Sequence, residues 1–139
     1  MRFMGTYRPK LDEKGRLFLP AKFRAALAEG VVVTQGQENC LYVWPPAVYD
    51  REIEALDRPL SSRAGRSLAR MFYSSGEDLT PDKQGRIAVP APLREYAGLE
   101  KDVVVIGVRD RLEIWDPARW AEYQAAESER FAALDDDDE

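Results

Sequence analysis

The sequence of 139 residues predicts a mainly β fold with short α-helices, in which two tandem units pair as a pseudo-dimer around a shared β core. Two observations support this prediction. The chain repeats itself, and each copy alternates short runs of β-branched or aromatic residues with turn residues, which is typical of strands. One copy of about 50 residues is too small to bury a core alone, so the two copies should share one.

The repeat is clearest in two segments. Asp12–Arg24 aligns with Asp82–Arg94 at an offset of 70, with six identical positions. Farther on, at an offset of 71, seven positions from Val32 to Ala47 are identical to seven positions from Val103 to Ala118. We therefore predict a first unit at residues 1–56, a helical linker at 57–75, a second unit at 76–127 and an acidic, disordered tail at 128–139.

Four strands are predicted in the first unit, at Gly5–Leu11, Arg16–Leu19, Val31–Thr34 and Cys40–Trp44. The turn between the first two strands is Asp12–Gly15, where glycine can supply a positive φ. Pro20 fits the first position of a helix that runs to about Leu27. A closing helix follows the fourth strand, and in the second unit Asp116 is placed to cap its equivalent. The linker has apolar residues at helical spacing, from Leu60 to Phe72.

Composition excludes several classes of function. The chain has no histidine, which removes Ser–His and Cys–His catalytic pairs, and its single cysteine, Cys40, allows no internal disulfide and no cysteine-rich zinc site. An enzyme would need Asp12 as its acid–base group, with no visible nucleophile. We therefore predict a protein that is not an enzyme and has no cofactor or metal.

The longest apolar run, Val103–Ile106, is too short to span a bilayer, so we expect a cytoplasmic protein with no membrane partner.

The net charge of −5 hides a segregated charge distribution. Asp135–Glu139 are five acidic residues in a row, and the rest of the chain has no net charge. The first 24 residues carry a local charge of +5. A second basic stretch runs from Arg58 to Arg70 without an acidic residue. A solvated face is the simpler interpretation of either basic stretch, and an anionic partner is the alternative.

The two copies share the pattern Asp-x-x-x-Arg across the turn. The aspartate can accept backbone hydrogen bonds, and arginine suits phosphates and guanine edges. A basic β-turn-β element, Arg8 to Arg16, could enter a DNA groove as a two-stranded ribbon, with the more basic N-terminal copy leading. The candidate DNA-binding residues are Arg8, Lys10, Lys14, Arg16, Lys22, Arg24 and Arg86, and the candidate turn-structuring residues are Asp12, Gly15, Asp82 and Gly85. Trp44 and Trp115 are better explained by packing than by base stacking.

The doubled turn, together with Lys10–Arg24 and the closing segment Val103–Trp115, resembles the MraZ family of bacterial transcriptional regulators over roughly residues 1–125. The resemblance implies an AbrB-like fold with two swapped-hairpin units in a β barrel, and ring-shaped homo-oligomers, with an octamer expected. It implies binding of double-stranded DNA at tandem direct repeats in the promoter of the division and cell-wall gene cluster, with autorepression and a place at the nucleoid. The family's motif positions are Asp12, Arg16, Asp82 and Arg86. The alternative is an antitoxin-like module that binds a protein and not DNA.

Overall fold

The structure is a computed structural model that describes residues 2–55 and 61–134, and within these ranges eight strands form two sheets. The six-stranded sheet contains, in spatial order, β1 (Thr6–Tyr7), β7 (Val104–Val108), β8 (Arg111–Trp115), β4 (Leu41–Trp44), β3 (Val31–Gln35) and β5 (Glu77–Leu79). The second sheet pairs β2 (Arg16–Phe18) with β6 (Arg86–Ala88). The helices are α1 (Arg24–Leu27), α2 (Pro46–Glu54), α3 (Arg63–Ser75), α4 (Ala91–Ala97) and α5 (Pro117–Ala133). The predicted mainly β fold with short helices is confirmed.

The two copies exchange strands. β1 of the first copy pairs with β7 of the second, and β5 of the second copy pairs with β3 of the first. In the middle, β4 pairs with β8, so that the β3–β4 and β7–β8 hairpins form one continuous sheet. Every one of these pairings is antiparallel. Each copy therefore completes its sheet with a strand of the other, as the shared β core requires.

The predicted β barrel is not confirmed, because the six-stranded sheet does not close on itself. Its edges in the described part of the chain are β1 and β5, which do not pair with each other. These edge strands are only two and three residues long. Edges this short leave few backbone groups to pair with each other, and the separate β2–β6 sheet covers one face of the six-stranded sheet.

The strands have apolar residues on both faces, and the two faces bury separate clusters. The inner cluster lies between the six-stranded sheet and the β2–β6 sheet, and it includes Leu17, Ile87, Val33 and Val105. The outer cluster lies under α2, α3 and α5 and is largely aromatic; its members include Val32, Tyr42, Trp44, Tyr49, Phe72, Val104 and Trp115. Neighbouring residues of β3 alternate between the clusters, as side chains of a strand must.

The structure corrects the alignment of the repeat in β3. An offset of 71 makes Val32 equivalent to Val103, but Val32 belongs to the outer cluster and Val103 to the inner one. Val33 pairs with Val43, whereas Val105 pairs with Ile114, so the equivalent of Val33 is Val105. The cause is the loop after α4, residues 98–102, which is longer than its counterpart at 28–30. A slip of one residue in a strand exchanges its two faces.

Three further boundaries differ from those predicted. The helix that starts after Pro20 is a 3₁₀ turn, Ala21–Phe23, followed by one turn of α-helix. The first strand is paired continuously only at Thr6–Tyr7, with isolated bridges at Lys10 and Leu11. The third difference concerns the predicted disordered tail at 128–139, because α5 continues through Ala133 and residues 128–133 are helical.

The closing helix of the second copy begins as predicted, because the Asp116 side chain accepts a hydrogen bond of 3.0 Å from the Arg119 backbone N–H. Trp120 and Tyr123 then pack on Trp115 and anchor the helix.

The part of the linker at 57–60 and the acidic residues 135–139 lie outside the described residues. A membrane-crossing helix would have to be longer and more apolar than any helix of residues 2–55 and 61–134.

Candidate nucleic-acid interface

The two Asp-x-x-x-Arg turns have the same hydrogen-bond geometry. In the first, Asp12 Oδ1 accepts 2.9 Å hydrogen bonds from the backbone N–H groups of Lys14 and Arg16, and Asp12 Oδ2 accepts a 2.7 Å hydrogen bond from Arg16 Nε. In the second, Asp82 accepts the same three hydrogen bonds, with Arg86 Nε at 2.8 Å. Each aspartate thus closes its turn and also holds the arginine side chain that leaves it.

These hydrogen bonds lower the pKa of both aspartates. For Asp12 and Asp82 alike, the largest cause is the backbone N–H of the arginine four residues on, with further contributions from the arginine side chain and from the backbone N–H two residues on. Both carboxylates therefore stay ionised, and able to pair with their guanidinium groups, to a lower pH than an ordinary aspartate.

A glycine completes each turn, and the other copy packs against it. Gly15 and Gly85 have φ values of 74° and 81°, which favour glycine. A Cβ atom on Gly15 would collide with the Arg94 guanidinium, and one on Gly85 would collide with the Arg24 side chain. The carbonyl oxygens of both glycines accept backbone hydrogen bonds of 2.9 Å from the other copy, Gly15 from Val89 and Gly85 from Leu19. The two turns are therefore parts of one structure.

The β2–β6 sheet, which we call the arginine ribbon, joins the two turns. Leu17 lies opposite Ile87 at its centre, and both side chains point into the core with 1% exposure. Because side chains alternate along a strand, the flanking residues point outward. Arg16 lies opposite Ala88 and Phe18 lies opposite Arg86 on this outer face. One solvent-facing surface thus presents both motif arginines.

The two motif arginines keep donors available on this face. Their side chains are 32% exposed for Arg16 and 22% for Arg86. Each arginine donates a hydrogen bond from Nε to its aspartate. Neither donates a further hydrogen bond to any residue in 2–55 or 61–134. The terminal nitrogens of a guanidinium lie side by side in one plane, which is the geometry that matches a phosphate or a guanine edge.

The other basic residues predicted to bind DNA differ in their exposure and in their contacts. Arg8, Lys14 and Lys22 are exposed. Lys10 is exposed as well and forms a 3.4 Å ion pair with Asp102, which solvent weakens. Arg24 is half-buried: its Nε donates a 2.9 Å hydrogen bond to the Leu19 carbonyl, and its guanidinium carbon lies 5.4 Å from the centre of the Phe18 ring. The structure therefore gives Arg24 a packing role that the sequence did not indicate.

The predicted two-stranded ribbon also needs correction. The sequence placed it within the first copy, from Arg8 to Arg16, but β2 pairs with that segment just beside the turn, through the Leu11–Leu17 bridge and a hydrogen bond from the Asp12 backbone N–H to the Arg16 carbonyl. Its ladder is formed with β6, which lies 70 residues farther along the chain. Phe18 and Arg94, which the structure places at the ribbon, were not among the residues predicted from the sequence. Two signals in the sequence could have indicated them. Phe18 alternates with the buried Leu17 and so shares a face with Arg16, and Arg94 aligns with Arg24.

Acidic side chains and Cys40 are the residues away from the ribbon that bear on metal binding and thiol chemistry. Residues 2–55 and 61–134 contain no group of three or more His, Cys, Asp or Glu side chains that could hold a metal ion. Cys40 is buried, and burial together with the nearby Glu113 carboxylate raises the pKa of its thiol. A protonated thiol is a poor nucleophile, so Cys40 is a packing residue.

Comparison with known proteins identifies the family. A family model described as "MraZ protein, putative antitoxin-like" matches residues 2–71 and again residues 72–138. The chain belongs to the MraZ family. The chain is 60% identical over 137 residues to a transcriptional regulator MraZ of a Nocardioides species, which covers 98% of this chain and 95% of the relative. MraZ regulators from Micrococcus luteus and Thermobifida fusca are 54% and 52% identical, over 97% and 95% of this chain and 95% and 93% of their own lengths.

The two MraZ matches agree with the repeat and with the site. Each matched segment contains one Asp-x-x-x-Arg turn, and the boundary between the segments falls within α3. The name shared by these relatives supports transcriptional regulation as the class of function.

Proposed function

We propose that this chain is a transcriptional regulator that binds double-stranded DNA with the outer face of the arginine ribbon. The observation that favours this function is the pair of guanidinium groups on one solvent-facing, two-stranded sheet, each held by its own aspartate. A two-stranded ribbon fits the major groove, and an arginine with two adjacent free donors can bind guanine O6 and N7 together. Because Asp12 and Asp82 already orient the side chains, little conformational entropy is lost on binding.

The exposed basic residues near the first turn would attract the phosphates. Lys14 lies in that turn, and Arg8, Lys10 and Lys22 belong to the same copy. Their contribution is independent of base sequence and falls as salt rises. Arg16 has the more exposed side chain and the more basic surroundings, so it leads, and Arg86 contributes from the same face.

The proposal extends to the operator and the assembly that the family resemblance implies. One ribbon reads few bases, so a single subunit should bind weakly. A ring of subunits, with an octamer expected, would place several ribbons over tandem direct repeats and turn weak contacts into avidity. The proposed operator lies in the promoter of the division and cell-wall gene cluster, which starts with the regulator's own gene, and the outcome is autorepression in the cytoplasm at the nucleoid.

Fluorescence anisotropy with the DNA upstream of the chain's own gene tests this function. The variants are Arg16→Ala and Arg86→Ala, and the control is Arg51→Ala, an exposed arginine of α2 on the far side of the six-stranded sheet. Loss of a bidentate guanine contact is worth ~1–3 kcal/mol per site. We expect salt-sensitive binding, weakened most by Arg16→Ala, less by Arg86→Ala and not by Arg51→Ala.

Two results would contradict the proposal. One is the absence of DNA binding by the wild-type protein, and the other is binding that does not change in Arg16→Ala or Arg86→Ala. Copurification of a stoichiometric protein partner in the first case would favour the antitoxin-like alternative.

A further inference from the structure

We propose that Phe18 makes the arginine ribbon a directional reader of DNA, by placing an apolar contact for a thymine methyl group at one end only. This inference rests on the proposed function and adds to it a specificity-determining residue. Phe18 lies outside the Asp-x-x-x-Arg motif and is the member of the outer face that the two copies do not share.

The backbone of the ribbon is close to symmetric. Leu17 pairs with Ile87 at its centre, and a half-turn about that point exchanges Arg16 with Arg86 and Phe18 with Ala88. The turns at both ends have the same hydrogen bonds within 0.1 Å, and Arg24 and Arg94 donate to equivalent carbonyl oxygens, those of Leu19 and Val89. A fully symmetric ribbon would read a palindrome, because the DNA duplex has matching twofold symmetry.

Phe18 breaks this symmetry at the side-chain level. Phe18 is 44% exposed, whereas the equivalent position holds only the methyl group of Ala88. The guanidinium carbons of Arg24 and Arg86 lie 5.4 Å and 5.8 Å from the ring centre, within the range of a cation–π interaction. Phe18 also partly covers Arg86, whose side chain is less exposed than that of Arg16. One end of the ribbon is therefore aromatic and basic, and the other is only basic.

An exposed aromatic ring with two guanidinium groups within cation–π range can contact an apolar group in the major groove. The thymine C5 methyl is the apolar group that the groove presents, and it is read by apolar side chains. The guanidinium groups fix the ring beside Arg86, so the methyl group would lie next to the base that Arg86 contacts. Each operator box then has a thymine-specific end and an end without this requirement, so the box is not a palindrome and has a direction.

Single replacement of each thymidine by deoxyuridine in the upstream DNA tests the inference, since only the methyl group is removed. For the wild-type protein, we expect replacement of the contacted thymine, on one side of the box, to weaken binding roughly fourfold per box relative to unmodified DNA. This factor corresponds to the loss of one buried methyl group. Phe18→Ala should bind both forms of the DNA equally. Phe131→Ala, an exposed phenylalanine of α5, is the matched control and should keep the wild-type difference.

Phe18→Ala is expected to fold, because the inward side chains Leu17 and Ile87 are unchanged, and thermal melting followed by circular dichroism checks this. Phe18→Gln serves as a second variant with the same expected loss of the methyl effect. If wild type binds but no thymine shows the effect, or if Phe18→Ala and Phe18→Gln retain it, the role of Phe18 is wrong while the proposed function stands. If wild type binds no DNA, the proposed function itself fails.

Discussion

At the scale of single residues, an aspartate in each copy organises a turn and an arginine together. Asp12 and Asp82 each accept two backbone hydrogen bonds and one from Arg16 or Arg86. The backbone contribution to the lowered pKa is the largest, so most of the effect comes from the turn and not from the ion pair. The arginine is thus held by a carboxylate that stays ionised to a lower pH than an ordinary aspartate.

This gives a pH prediction. Carboxyl NMR titration should place the pKa of Asp12 and Asp82 below 3.8, the ordinary value. A group whose pKa is lowered by folding stabilises the folded state above its ordinary pKa, and this contribution disappears as the pH falls through the lowered value. The turns should therefore keep their full stability at neutral pH and lose this contribution only below about pH 4.

Arg16→Ala separates the causes, because it removes the side-chain hydrogen bond and keeps the backbone one. The pKa of Asp12 should rise part of the way toward 3.8 in this variant, with that of Asp82 unchanged as an internal control. A complete return of Asp12 to 3.8 would mean that the ion pair, and not the turn, dominates.

At the scale of elements, the arginine ribbon depends on two inward side chains. Leu17 and Ile87 are each 1% exposed and join the ribbon to the inner cluster, while Phe18 on the same strand faces solvent. The three-residue strands contribute few hydrogen bonds of their own. Packing of the inward pair therefore holds the ribbon in place.

Leu17→Ala should lower the free energy of unfolding by ~2–5 kcal/mol, the usual loss for a buried leucine that leaves a cavity. Chemical denaturation measures this change. Phe18→Ala on the same strand is the matched control, and its effect should be about 1 kcal/mol or less, since an exposed side chain with cation–π contacts contributes little. Equal losses in the two variants would show that the ribbon is not anchored through its inner face.

At the scale of the whole molecule, exchange of strands makes the two copies interdependent. β1 completes the hairpin of the second copy, β5 completes that of the first, and β2 has its ladder with β6. In each copy, two strands pair along their length with strands of the other copy: β1 and β2 in the first, and β5 and β6 in the second.

Residues 1–75 and 76–139 expressed separately should not fold as monomers. Each half would leave apolar faces and strand edges uncovered, so we expect either an unfolded chain or a homodimer that replaces the missing strands. Circular dichroism and analytical ultracentrifugation distinguish these states, and mixing the halves should restore cooperative unfolding. A stable monomer from either half would contradict the interdependence of the copies.

Local patterns predicted much of the fold and part of the candidate site. The repeat, the two Asp-Gly turns, the cap at Asp116 and most strand positions follow from residue types and spacing over a few positions. The motif residues Asp12, Arg16, Asp82 and Arg86 were found in the same way.

The two-stranded ribbon was predicted with the wrong strand partner, however, because alternation tells which face of a strand is buried and does not tell which strand lies beside it. Phe18 was missed for the same reason, since its neighbours Arg86 and Arg24 become neighbours only through that pairing.

The sequence by itself determined the two copies, their turn chemistry, the absence of histidine chemistry and the charge segregation, because each is a property of residue identity or short-range spacing. Only the tertiary structure decided that β2 pairs with β6, that the six-stranded sheet stays open, and that both motif arginines share one face. These features depend on contacts between residues about 70 positions apart. Such contacts form because together they bury the inner cluster, and the stability of that shared core is not encoded in any one segment.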